Sequence, residues 1–246
     1  MDRLVYTVMT GAKHTMEQQA NNSHNLANAT TTGFRAQLDS FRAVPVVSDG
    51  LPTRTFVVDA TVGSDFTPAQ TQQTGRDLDV AINGKGWIAV QAADGSEAYT
   101  RHGSLKLSEN GILQTHDGLN VQGESGPITI PPGTSVSIEK DGTVASIENG
   151  TKPGASTILG RIKLVNPPEQ NLVRGEDTLF RQKDGVDADV DEGVQLIGRA
   201  LEGSNVNVVE AMVNMISLAR QFESQLGLLK NAENNAAKAS QLLSLN

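Results

Sequence analysis

The chain has 246 residues, a formal net charge of −8 and no cysteine, and its pI lies near 5.0. That length allows one large hydrophobic core or two modest ones. An acidic balance without a basic stripe argues against nucleic-acid binding, and the lack of cysteine excludes disulfides, thiolate metal sites and a cysteine nucleophile.

From the N-terminus, Val5, Met9, Ala12, Met16, Gln19, Ser23 and Leu26 recur in alternate steps of four and three, the seam of a coiled-coil helix. The β-branched run Thr30-Thr31-Thr32 and the turn residue Gly33 predict a helix end near Asn28. Residues 20–28 are rich in asparagine, whose amide competes for backbone hydrogen bonds and is unfavourable on a helix surface. Two readings fit: a fraying helix end, or amide bonding across a subunit contact through Asn22, Asn25 and Asn28. The opening Met1-Asp2-Arg3-Leu4 has no cationic and apolar leader pattern, and no window of about 18 apolar residues follows, so neither a cleaved signal nor a membrane span is expected.

Residues 31–76 carry Pro45, Pro52 and Pro68 and little periodicity, which predicts an extended connector arm with short strands. So long an irregular stretch is unusual inside a compact domain, and contact with neighbouring subunits is expected. From residue 77 the period changes to two. Leu78, Val80 and Ile82 alternate with Asp79 and Ala81, and Trp87-Ile88-Ala89-Val90 follows Asn83-Gly84. Further turn dipeptides at Asp94-Gly95, Asn110-Gly111, Asp117-Gly118, Asp141-Gly142, Asn149-Gly150 and Asp184-Gly185 predict hairpins. Residues 77–200 are therefore expected to form a mostly antiparallel β domain, with strands near 98–101, 104–107, 112–114, 119–121, 135–139, 143–147, 160–164 and 194–197.

Chemical motifs in this region do not hold together. Gly84-Lys85-Gly86-Trp87-Ile88-Ala89 has the spacing of a dinucleotide-binding turn, but it opens an alternating strand instead of a helix. Asp187, Asp189 and Asp191 imitate half of a calcium loop, yet Glu192 and Gly198 stand where glycine and glutamate are needed. His14, His24, His102 and His116 form no close ligand pair, and no Gly-x-Ser-x-Gly elbow exists. No catalytic, cofactor-binding or metal-binding residue is assigned, and no enzyme activity is expected.

The last helix starts at Asn207, with Glu210 three residues on in the manner of a capping box. Its seam runs through Val208, Met212, Met215, Ala219, Phe222, Leu226 and Leu229, then weakens through Glu233, Ala236, Ser240 and Leu243. At 1.5 Å per residue it would extend roughly 55 Å, longer than a compact domain of this size is wide. The stripe widens at Val209, Val213, Ile216 and Leu218, so that more than one neighbour could be packed against it. The expected fold is α+β: a discontinuous coiled-coil region, built from a helix in residues 1–30 pairing with one in residues 201–246, flanks the β domain.

Asn25-Leu26-Ala27-Asn28-Ala29-Thr30 followed by Thr32-Gly33-Phe34-Arg35 resembles the N-terminal signature of the bacterial flagellar rod and hook family. Leu78-Asp79-Val80-Ala81, Gly86-Trp87, Tyr99-Thr100-Arg101 and Gly126-Pro127-Ile128-Thr129 resemble its central domain. Leu201-Glu202-Gly203-Ser204-Asn205-Val206 and Arg220-Gln221-Phe222-Glu223 resemble its C-terminal signature. His24 and His102 depart from the pattern, standing where relatives often carry asparagine. The opening Met1-Asp2-Arg3 and the region of Arg54 favour the proximal rod type, with the distal rod type as the alternative.

The resemblance implies a structural subunit of the proximal rod, delivered by the flagellar type III export apparatus without a cleaved signal. It would assemble with itself and other rod proteins in the periplasmic part of the basal body, with no cofactor, nucleic acid or membrane insertion. Its subunit contacts would be made by the two seams (Val5, Met9, Met16 and Leu26; Val208, Met212, Met215, Ala219, Phe222, Leu226 and Leu229), with Asn22, Asn25, Asn28, Gly33 and Phe34. A reading from a different class is a secreted β-domain binding protein or cell-wall hydrolase whose helices serve only oligomerisation.

Overall fold

The computed structural model describes residues 2–45, 55–148 and 156–244. The turn expected at Asn149-Gly150, the resemblance around Arg54 and the side chains of Ser240 and Leu243 lie outside what is described. The chain divides into two units, one of residues 1–29, 36–65 and 206–246, the other of residues 30–35 and 66–205. The fold is α+β, with terminal helices on either side, in sequence, of a mostly antiparallel β region.

The first unit holds helix α1 (Asp2–Ala27), strands β1 (Gln37–Pro45) and β2 (Thr55–Ser64), and helix α2 (Val208–Ser244). The expected connector thus contains a long antiparallel hairpin, pairing Gln37 with Ser64 and Pro45 with Thr55, with a bulge between Ser40 and Phe41. Proline concealed it: Pro45 ends β1, and in a two-stranded sheet every strand is an edge, where proline is tolerated. The helix α2 begins as expected. The Asn207 side chain accepts from the backbone N–H of Val209 at 3.1 Å and of Glu210 at 3.3 Å, two of the donors a helix start leaves unpaired.

The second unit is built on a nine-stranded sheet among the described residues. Its central path runs from Leu172–Arg174 through Phe180–Gln182, Glu97–Thr100, Trp87–Gln91, Asn120–Gly123 and Leu113–Thr115 to Leu105–Leu107. Trp87–Val90 is buried at every position because the sheet is covered on both faces. Ile88 and Val90 enter the larger core with Val80, Leu105, Leu113, Val121 and Leu164. The alternate Trp87 and Ala89 enter a second core with Tyr99, Val165, Leu172 and Phe180. A separate three-stranded sheet, Thr134–Ile138, Thr143–Glu148 and Ser156–Arg161, adds Val144 to the larger core. Val80–Asn83 pairs with Gln195–Gly198, and Thr71–Gln73 with Ala200–Glu202. The strand Ala200–Glu202 ends with Leu201 and Glu202, inside the span 201–246 expected for the terminal helix region.

Candidate assembly surfaces

In the first unit α1 and α2 run antiparallel. Asn22 donates its amide to the carbonyl of Ala211 at 2.7 Å. Further along, the Thr15 hydroxyl donates to Gly11 O at 3.0 Å and accepts from Gln225 Nε2 at 3.2 Å. The covered line of α2 is Ala211, Met215, Leu218, Phe222, Gln225, Leu229 and Ala232, all buried or half-buried. This is a four-three repeat that shares Met215, Phe222 and Leu229 with the expected seam. The remaining seam positions Val208, Met212, Ala219 and Leu226 are exposed.

The helix is therefore apolar on two sides. One side meets α1; the other bears Val209, Met212, Val213 and Ile216, between 51% and 71% exposed. Val213, Ile216, Ser217 and Arg220 line a shallow groove of about 240 Å3 on that face. On α1, Met9 and Met16 are exposed, Val5 and Leu26 half-buried, and Ala12 and Thr15 buried. Isolated exposed apolar residues are ordinary, but a run of large ones along a helix marks a surface for association.

The asparagines serve the first unit's own chain. Asn25 donates to the carbonyl of Gln37 at 2.9 Å and accepts its N–H at 2.8 Å, so its amide pairs with the first residue of β1 as a neighbouring strand would. Asn21 donates to Asp39, and Asn28 donates to His24 O at 2.9 Å, closing the last turn of α1. The His14 and Phe41 rings meet in a T-shaped arrangement, 5.8 Å between centroids. No sequence signal gave these partners, since an amide offers donor and acceptor alike.

Gly33 and Phe34 belong to the second unit. Gly33 has φ +71°, and a Cβ there would sit 2.4 Å from the Arg101 carbonyl carbon. Its N–H donates to Glu202 O at 2.8 Å. Phe34 is buried, with the Arg174 guanidinium 4.4 Å from its ring centroid. Beside it, the buried Glu202 carboxylate accepts from Arg35 Nη2 at 2.6 Å, Arg101 Nη1 at 2.9 Å and the N–H of Ala69 at 2.9 Å. Burial pushes the Arg101 guanidinium below its usual range, against the opposing pull of Glu202.

Residues 81–146 match the family described as flagellar hook protein FlgE/F/G D1 domain. Residues 198–242 match that described as flagellar basal body rod FlgEFG protein C-terminal. The chain is 45% identical to the flagellar basal-body rod protein FlgF of Escherichia coli (strain K12), over all of both chains. The chain belongs to the FlgF family of flagellar basal-body rod proteins. The FlgF of Salmonella typhimurium (strain LT2) is 44% identical, again over both full lengths. The flagellar basal-body rod protein FlgG of Buchnera aphidicola (subsp. Acyrthosiphon pisum) is 31% identical over 89% of this chain and 92% of its own. The more distant FlgG match makes the distal rod alternative the weaker one. In this FlgF-family chain the second matched segment covers most of α2, including its exposed apolar face. Among the described residues no helix is long and apolar enough to cross a membrane.

Proposed function

We propose that this FlgF-family chain is a structural subunit of the proximal flagellar rod, and that the outer faces of α1 and α2 join it to neighbouring subunits in a tube that transmits torque. The observation that carries this reading is the second apolar side of α2. With α1 packed along Ala211, Met215, Leu218 and Phe222, the stripe of Val209, Met212, Val213 and Ile216 still faces outward. Burying one such side chain contributes about 1.5–3 kcal/mol before association costs, so several per subunit support a stiff assembly.

The subunit contacts in this reading are that stripe and the exposed Met9, Met16, Val208, Ala219 and Leu226, while Val5, Leu26, Met215, Phe222 and Leu229 sit between the helices or at their margin. Asn22, Asn25, Asn28, Gly33 and Phe34 act at one remove, by setting the shape of each unit. The role is mechanical and involves no enzymatic chemistry. Other rod subunits and further copies are its partners, and the flagellar type III apparatus delivers it. Mass spectrometry of detergent-resistant basal bodies, compared with soluble periplasm from the same cells, tests the reading. Enrichment with other rod proteins is expected; recovery in the soluble fraction alone would overturn it.

A further inference from the structure

In the second unit, a cavity of about 370 Å3 is lined on its apolar side by Phe34, Leu179 and Phe180 and on its charged side by Arg35, Arg101 and Arg174. Glu202 serves Arg35 and Arg101 together. Arg174 lies over Phe34 and donates Nη1 to the carbonyl of Arg35 at 2.9 Å, and among the described residues no carboxylate pairs with it. Burial alone pushes its guanidinium below the usual arginine range, as expected for a charge without a counter-ion. Arg35 is 1% exposed, and its Nε and Nη1 have no acceptor among the described residues. Buried donors of this kind are costly to leave unpaired.

The cavity's own carboxylates are engaged elsewhere. Asp177 takes both Nη atoms of Arg181, at 3.0 and 2.7 Å, and Asp117 meets His102 at 3.2 Å. Thr178, also in the lining, holds φ +66°, a conformation that a β-branched residue keeps only when its surroundings enforce it.

The complementary chemistry is present on the same unit. Asp184, Asp187, Asp189 and Glu192 are exposed on one loop, with Val186 62% and Val190 39% exposed among them. The loop is held in shape by Ala188 N–H donating to Tyr99 Oη at 2.7 Å and by Asp191 N–H donating to Leu164 O at 2.9 Å. A preformed loop loses little entropy on docking. We propose that the arginine cavity of one copy receives the acidic loop at residues 184–192 of a second copy, its carboxylates pairing with Arg174 and its valines covering the apolar side. Cavity and loop are different patches, so when each copy gives its loop to the next the contact is heterologous and repeats into a ring or an open helical array, as a rod requires. This inference rests on the rod-subunit reading above.

The absence of natural cysteine makes the test direct. Full-length Thr178→Cys and Val186→Cys chains are co-expressed in flagellated cells, and isolated basal bodies are treated with a short bis-maleimide. A covalent dimer of this chain is expected from the mixture and from neither variant alone. A link only to a different rod protein, or no link from variants recovered in the rod, overturns the proposal. Asp117→Cys replaces Thr178→Cys if the latter fails to assemble. In parallel, Arg174→Glu is expected to lower incorporation about tenfold or more, the scale of a broken charge pair at an interface. Adding Asp187→Arg and Asp189→Arg to the same chain restores it. A loss that the loop reversal does not recover also overturns the proposal. Wild-type chain counted in the same basal bodies tests the rod-subunit reading separately.

Discussion

Glu202 and Arg35 meet at 2.6 Å across 167 residues of chain, both side chains almost wholly buried. Arg101 joins the same carboxylate at 2.9 Å. Removing a single charge from such a cluster leaves the others uncompensated in a dry site. Glu202→Gln is therefore expected to destabilise the chain by about 3–5 kcal/mol, read as a lower denaturation midpoint. An unchanged midpoint would mean that solvent reaches the arginines.

A second expectation concerns Gly33. At φ +71° any other residue is strained, and the backbone of Arg101 and His102 lies within 2.6 Å of where a Cβ would be. Backbone cannot swing aside as a side-chain tip does. Gly33→Ala should cost roughly 1–3 kcal/mol from backbone strain alone, with the clash added to it. Chemical denaturation of the purified variant measures the sum.

The period-two strands and glycine turns were readable because each rests on neighbouring residues. Trp87–Gln91 and the start of α2 at Asn207 appear within a residue or two of expectation. What the sequence concealed depends on distant partners. Glu202 gives no local sign that Arg35 and Arg101 will share it. The hairpin of β1 and β2 has no clear alternation and is bounded by proline. Phe180–Gln182 is a three-residue strand holding a single apolar side chain. The helix register was half legible. Met215, Phe222 and Leu229 stand in both possible seams, and only the position of α1 decides that Ala211, Leu218 and Gln225 complete the inner one.

Tyr99 supplies a test of the smaller core. The residue is 1% exposed, and burial, with Glu97 nearby, raises the pKa of its phenol from 10.0 to about 12 despite the opposing N–H of Ala188. Between those values an unfolded chain releases the proton and the folded chain keeps it. The Tyr99 contribution is thus complete below about pH 10 and declines as pH rises towards 12. In a Tyr6→Phe variant, which leaves Tyr99 as the remaining tyrosine, phenolate absorbance should appear with a midpoint near 12. A midpoint near 10 would show the ring to be hydrated.

The two sides of α2 make separable predictions. Ile216 is 57% exposed on the outer side, and a change there touches little of the chain's own packing. Ile216→Asp should leave stability within about 0.5 kcal/mol of the parent, as surface substitutions do. It should nevertheless prevent entry into the rod, because a carboxylate would be buried without a partner in the subunit contact. Phe222 is half-buried on the column common to both seams. Phe222→Asp should therefore lower helical content as well as incorporation, while the β unit, which does not contain it, keeps its fold. Circular dichroism of the purified chains and quantitation in basal bodies separate the two effects. Normal motility with Ile216→Asp would move the subunit contact off this face. The same result with Phe222→Asp would mean that the pairing of α1 with α2 is dispensable for assembly.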